Sequence, residues 1–265
     1  FMASQQVLVG LCVLAWTVSG LPVGSGRVGE TLTFFDDFSG SFLNESQWNV
    51  LNQVHRGGVY SRDNAWVQDG LLVLRTVSSN QTIDGTDYYV ASGAVNTSGL
   101  FEQRQGRFEV RAKMPDVDRS SGYTLHSSIW LIAHPGASTC PQELDIVEQY
   151  AADPYPSSKV QGNIHAFGPS PACTPLRAGA GAVYSSTDDF TTDFHVFSLE
   201  WADDHLTFAI DGLATATYTN SSIMESLTEK QFLALTACVM DRVPVLSSDA
   251  FPLFYYIDWV KVWSF

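Results

Sequence analysis

Residues 141–150 read PQELDIVEQY, and in a chain where only 16% of residues are charged, the acids Glu143, Asp145 and Glu148 form an unusual cluster. Leu144, Ile146 and Val147 between them favour a strand. On a regular strand, Glu143 and Asp145 share one face and Glu148 points to the other. A helix also separates them, because steps of about 100° set the three at about 0°, 200° and 140°. One extra residue at Ile146-Val147 restores the parity. The spacing therefore predicts a β-bulge that turns all three carboxyls to one surface.

Carboxylates crowded on one face repel, which pushes at least one pKa upward. One ionised and one protonated carboxyl, about 5 to 5.5 Å apart, are what glycoside hydrolysis with retention of configuration uses. With the bulge skipped, Glu143 and Glu148 lie about 13 Å apart along the strand, and side chains leaning inward by about 3.5 Å each leave about 6 Å. Strand twist closes part of the remainder. The competing readings are a solvated strand face and a calcium-binding acidic cluster. Calcium draws oxygens from several loops, whereas these acids are set among apolar strand residues.

The elements that must hold such a ribbon are mostly strands. Residues 107–114 (RFEVRAKM) put Phe108, Val110, Ala112 and Met114 on one face and Arg107, Glu109, Arg111 and Lys113 on the other. HLTFAIDG repeats the period before a turn at Asp211-Gly212. Residues 69–76, 127–133, 194–201, 231–239 and 254–263 are further strand candidates, with Trp201 and Trp259 read as core and His195 as structural. The best helix candidate is 222–232, with Ile223, Met224 and Leu227 on one side. Many strands with turn residues between them predict an all-β, two-sheet antiparallel sandwich.

The chain has 265 residues, four cysteines and a net charge of −14, from 14 basic and 28 acidic residues. That charge disfavours nucleic acid and anionic membrane surfaces as partners. Residues 7–18 (VLVGLCVLAWTV) form an apolar run that suits a signal peptide and is too short to span a bilayer. Cleavage near Ser19 or Gly20 is expected, which assigns 1–20 to the leader and 21–265 to one domain, with a secreted or cell-wall location. Sequons at Asn44, Asn80, Asn96 and Asn220 suit that route. Cys12 leaves with the leader, so one disulfide and one free thiol are expected among Cys140, Cys173 and Cys238, with three pairings open.

With these motifs in place, the sequence resembles glycoside hydrolase family 16, the laminarinase, lichenase, agarase and carrageenase group, whose active-site strand reads Glu-x-Asp-x-x-Glu. The match here is ELDIVE. DDFSGSFLNESQWN, NAWVQDGLLVLR, SGAVNTSGLFEQRQGRFEVRAKMP, FHVFSLEWADDHLTFAIDG and YYIDWVKVW resemble further family segments in the right order. The resemblance implies a β-jelly roll with a glycan cleft on its concave face, and a retaining endo-glycosidase acting on a polysaccharide as a monomer. By position, Glu143 resembles the nucleophile, Glu148 the general acid/base with a raised pKa, and Asp145 the residue that tunes the nucleophile. Trp130, His165, Asn64 and His126 are the sugar-binding candidates that follow. No catalytic cofactor is implied. Some members carry a structural calcium ion, for which Asp258, Gly70 and Asp37 occupy matching positions.

Two departures bear on the substrate. Many laminarinase-like members have G-x-W-P-A where this chain has Thr124-Leu125-His126-Ser127-Ser128, and Trp-Pro is missing ahead of Glu143. The Ser pair and QELDIVE also resemble agarase- and porphyranase-like members. A sulfated galactan would need an arginine cluster, with Arg56, Arg62, Arg104 and Arg107 as the available residues. A neutral β-1,3- or β-1,3(4)-glucan is the substrate expected. A galactan hydrolase, a transglycosylase and a non-catalytic glycan-binding module are the alternatives.

Overall fold

The computed structural model describes residues 24–117, 124–137, 140–151, 156–168, 172–176, 182–187, 189–240 and 250–265. The expected leader and its cleavage site lie outside these residues. In chain order the strands are β1 (Thr31–Asp36), β2 (Asn49–Val50), β3 (Gln53–His55), β4 (Gly58–Tyr60), β5 (Ala65–Gln68), β6 (Leu71–Ile83), β7 (Thr86–Ser92), β8 (Ala94–Asn96), β9 (Gly106–Lys113), β10 (Leu125–Ala133), β11 (Glu143–Ala151), β12 (Lys159–Phe167), β13 (Pro175–Leu176), β14 (Ala182–Ser185), β15 (His195–Trp201), β16 (Leu206–Ile210), β17 (Leu213–Tyr218), β18 (Gln231–Val239) and β19 (Leu253–Ser264).

Among the described residues they form two sheets, and of the pairings there only β4–β7 is parallel. One sheet runs β17-β16-β15-β9-β19-β6-β7-β4-β3, with β1 on β19 and β5 on β6. The other runs β13-β12-β11-β10-β18-β8-β2, with β14 on β12. This is the expected jelly-roll architecture. A single apolar cluster fills the space between the sheets, from Phe108 and Val110 of β9 and Ile257 and Val260 of β19 to Leu131 of β10 and Leu235 of β18. Gly162 of β12 lets the layers approach: a Cβ there would lie 2.7 Å from the Phe208 ring of β16.

Three expectations are modified by packing. The helix α1 (Ser221–Ser226) is shorter than 222–232: Asn220 caps it by accepting from Ser222 N at 3.0 Å, and Gln231 already opens β18, which pairs with β10 along its length. Tertiary pairing outweighs the short apolar period there. Trp201 is 1% exposed as expected. Trp259 is not core, because β19 bulges between Ile257 and Trp259 and leaves the indole half-buried with Lys261 Nζ 4.6 Å from the ring.

The third concerns β9, whose alternation of apolar and charged residues reads as a half-buried strand. Arg107 and Glu109 are instead buried under residues 24–30. Arg107 donates to Glu30 through Nε (3.0 Å) and Nη2 (2.6 Å), to Glu109, and to the Ser25 carbonyl (2.7 Å), with its guanidinium 3.9 Å from the Trp263 ring. Glu109 accepts from Gly24 N at 2.8 Å, and Lys261 Nζ donates to the Gly24 carbonyl at 2.7 Å.

Of the three disulfide pairings, the structure forms Cys140–Cys173 and leaves Cys238 as a buried free thiol. Among the sequons, Asn44, Asn80 and Asn220 are exposed. Asn96 is half-buried in β8, with Oδ1 accepting from Asn49 at 3.1 Å. Among the described residues no helix is long and apolar enough to cross a membrane.

Candidate active site

The acidic strand is β11, and the bulge is present. Ile129 of β10 faces Val147, but Trp130 faces Asp145, so Ile146 is skipped. On the other edge Asp145 faces Asn163 and Glu148 faces Gln161, three steps on β11 against two on β12. Ile146 and Val147 consequently both enter the core, at 5% and 2% exposure. Glu143, Asp145 and Glu148 all turn to the opposite surface, where they line one cavity. Regular alternation on the neighbouring strands builds the rest of its wall: His126, Ser128, Trp130 and Ile132 from β10, Thr236 and Cys238 from β18. His55 and Arg56, at the corner between β3 and β4, complete it.

Each acid has its own partners. Glu148 is 6% exposed, and its Oε1 meets His126 Nε2 at 2.8 Å and accepts from Tyr150 Oη at 3.0 Å. Its Oε2 accepts from Gln161 Nε2 at 3.3 Å and from Asn163 Nδ2. Asp145 is 3% exposed, with Oδ2 3.0 Å from His165 Nε2. The same nitrogen lies 3.7 Å from Glu143 Oε1.

These partners set the protonation order. Burial, then the charge of Asp145, pushes Glu143 up to about 7 against the pull of His165. Burial also raises Asp145, although the hydrogen bond from His165 opposes it. For Glu148 burial is outweighed by His126 and by the amides of Gln161 and Asn163, which hold it down to about 2. The bond to Asp145 holds His165 up to about 9. Sequence reasoning assigned the raised value to Glu148. The structure reverses that order, because the donors that ionise Glu148 stand on β10 and β12 and are invisible in the spacing of β11. Near neutral pH the cleft therefore holds one carboxyl close to its titration point and another fully ionised, both over one groove.

Trp130 lines the cleft as expected, its indole anchored by Nε1 donating to Thr236 Oγ1 at 3.1 Å. His126 also lines it but is 7% exposed and bonded to Glu148, so its ring serves the acid more directly than a sugar. His165 is half-exposed and bridges two acids. Asn64 is not brought to the cavity. It is 3% exposed in the turn before β5, and its Oδ1 accepts from Arg75 Nε at 2.9 Å, which occupies the group a sugar hydroxyl would need. His195 is structural as expected, its Nδ1 2.7 Å from Asp211 Oδ2.

Several site residues escaped the sequence reading. Tyr150 lies two positions beyond Glu148, and Gln161 and Asn163 precede His165 at steps of two, so strand period would have placed them on the cleft face. Cys238 follows Thr236 by two in the strand expected at 231–239, so the same period would have placed it there, whereas His55 and Arg56 come from a turn in a distant segment and carry no comparable signal.

Of the calcium positions, both carboxylates already have protein partners. The Asp258 carboxylate is ion-paired with Arg111 Nη1, Asp37 Oδ1 accepts from Ser39 N at 3.1 Å, and among the described residues neither joins a group of three or more ligating side chains. The group that does bring cation-binding atoms together is Glu143, Asp145 and His165, within 4.8 Å of one another. There the raised His165 imidazole already supplies positive charge between the two acids.

A two-sheet β-sandwich with a bulged strand presenting three carboxyls to a groove is the jelly-roll architecture that the resemblance implies. Agreement with known proteins is direct: the sequence profile of the glycosyl hydrolases family 16 matches residues 54–261, and the chain belongs to that family. It is 26% identical over 216 residues to the glucan endo-1,3-beta-glucosidase A1 of Niallia circulans, covering 73% of this chain and 30% of that protein. It is 29% identical over 133 residues to a beta-1,3-glucan-binding protein of Penaeus monodon, covering 48% of this chain and 35% of that one. The chain thus spans about a third of the length of these curated relatives. Its fold matches the laminarinase catalytic domain of Thermotoga maritima MSB8 with a TM-score of 0.73 at 24% identity, over 89% of this chain and 98% of that one.

Proposed function

We propose that this protein is a secreted, retaining endo-β-glucanase that hydrolyses internal bonds of a neutral β-1,3- or β-1,3(4)-glucan. The observation that carries the reading is the bulge, which sets Glu143, Asp145 and Glu148 on one cleft face, each with a separate partner. Glu143, once ionised, attacks the anomeric carbon, and the glycosidic C–O bond breaks as a proton passes from the Glu148 side to the leaving oxygen. Water then takes the reverse route: its proton goes to Glu148, its oxygen to the anomeric carbon, and Glu143 departs. Trp130 offers an aromatic face to a sugar ring.

Neutrality of the substrate is supported by where the arginines go. Arg56 reaches the cleft, whereas Arg62 pairs with Glu45, Arg104 donates to the Leu227 carbonyl at 3.0 Å, and Arg107 is buried under residues 24–30. No cluster forms among them to meet sulfate esters. Secretion is supported by the apolar run at 7–18, the Cys140–Cys173 disulfide and the exposed sequons.

Release of new reducing ends from laminarin and lichenan, but not from agarose or carrageenan, is the expected outcome of a substrate panel. Binding without release on every polymer would establish a glycan-binding module instead, and products longer than the substrate would establish transglycosylation. Proton NMR of the first product should show the β-anomer; an α-anomer would exclude Glu143 as nucleophile. The pH dependence follows from the raised Glu143: the nucleophile is lost as pH falls, so kcat/KM should decline with an acid limb near pH 7, well above that of an ordinary carboxylate.

A further inference from the structure

Glu148 must deliver a proton, yet both its oxygens are met by donors. Gln161 and Asn163 present N–H groups to Oε2, so a carboxyl proton there would meet another hydrogen. At Oε1 the partners are Tyr150 Oη and His126 Nε2, and His126 is the base of the two. Its ring is 7% exposed, lies 4.5 Å from the Tyr150 ring, and on its own strand meets Ser128 Oγ at 3.2 and 3.3 Å. On the far side, Nδ1 is 3.9 Å from Sγ of Cys238, the buried thiol for which the hydrolytic steps have no use.

We propose that His126 is a positioning residue for the acid, and that its imidazole stores on Nε2 the proton which Glu148 passes to the leaving oxygen. This rests on the hydrolytic reading of the cleft and adds to it the location of the proton in the free enzyme. In the first step that proton moves from Nε2 to Oε1 and on from Oε1 to the leaving oxygen, so Glu148 ends ionised as it began and His126 becomes neutral. In the second step the proton from water enters at Glu148 and Nε2 is reprotonated, so the cycle closes with no proton gained or lost.

The charges around the ring favour storage. From β11 it faces Glu148, Tyr150 and, at longer range, Asp145; from β18 it faces Cys238. The corner between β3 and β4 adds His55 and Arg56 to the same cavity. Burial pulls His126 down, but the hydrogen bonds to Cys238 and Glu148 outweigh it and hold the ring up to about 9. Burial likewise raises Cys238, but His126 and His55 bring the thiol down to about 6. A protonated ring set between Glu148 and Cys238 is the arrangement these contacts favour.

Two measurements test this, one of them independent of activity. In NMR titration of the whole protein with ¹⁵N-labelled histidine, the His126 ring should stay protonated to about pH 9. Its midpoint should fall by about 1–3 units in Glu148→Gln, and should also fall in Cys238→Ala. A midpoint at or below about 6.5 in the unaltered protein, or one unmoved by Glu148→Gln, overturns the proposal. In kinetics, His126→Gln should lower kcat on a β-glucan by about 10²–10³-fold and move the alkaline limb of kcat/KM down from about 9, with KM little changed. An aryl glycoside with a dinitrophenolate leaving group departs without protonation and should lose little. Equal losses on both substrates, or an unmoved alkaline limb, overturn it. If no β-glucan is cleaved while His126 still titrates high and responds to Glu148→Gln, the hydrolytic reading fails and the proton-holding pair stands.

Discussion

Glu143→Gln should reduce turnover of the glucan by at least about 10⁴-fold with no loss of thermal stability, because the amide keeps the shape of the carboxyl and removes only its nucleophilic charge. Stability should stay level or rise above pH 7. A carboxyl raised to about 7 by burial and by Asp145 destabilises the fold in its ionised form, and that cost is present at pH values above its folded pKa. Glu148→Gln should cost about 10²–10⁴-fold on glycans and far less on an activated aryl glycoside. The Ala variants separate the two roles by chemistry. Azide supplied to Glu143→Ala attacks directly and gives the inverted α-glycosyl azide. Azide supplied to Glu148→Ala attacks the covalent intermediate and gives the β-azide. Exchange of these two products between the variants would reverse the assignment, and ordinary activity in either Gln variant would remove that residue from the mechanism.

The second large effect is on stability and lies far from the cleft. Arg107→Met should destabilise the protein by about 3–5 kcal/mol, because it leaves Glu30 and Glu109 buried without their guanidinium. In the unaltered protein, burial raises Glu30 but the bonds from Arg107 and Arg27 outweigh it, so its carboxyl is held below the ordinary value. A lowered carboxylate contributes stability that is present above its unfolded pKa and lost as pH falls through the folded one. Removing the arginine turns that contribution into a cost for the ionised form. The deficit of Arg107→Met should therefore be largest at neutral pH and shrink on acidification towards pH 4. Denaturant unfolding at two pH values checks both size and sign; a deficit independent of pH would mean that lost packing against Trp263, and not charge, dominates. A triple change of Arg107, Glu30 and Glu109 to apolar residues of similar volume should recover most of the loss.

Much of the fold and of the acid cluster was legible because side-chain alternation is a local rule. Period two in 107–114 and 231–239 places Val110 and Leu235 towards the core and defines the opposite face, and β9 and β18 occupy those segments. The parity argument for ELDIVE is equally local: two apolar residues in succession, Ile146 and Val147, both belong in the core only if the strand bulges. Electrostatics and long-range burial were not legible, because they depend on which segments arrive from elsewhere. Glu148 is held ionised by His126 and Asn163, and these lie 22 and 15 positions away along the chain. Arg107 is dry because residues 24–30 cross it. Asn64 is turned from the cleft by an arginine 11 positions on, and Trp259 is moved to the outer face by a bulge. Local sequence determined that three carboxyls share a face. Tertiary structure decided which of them holds a proton, because a pKa responds to every charge and donor within a few ångströms regardless of its distance along the chain.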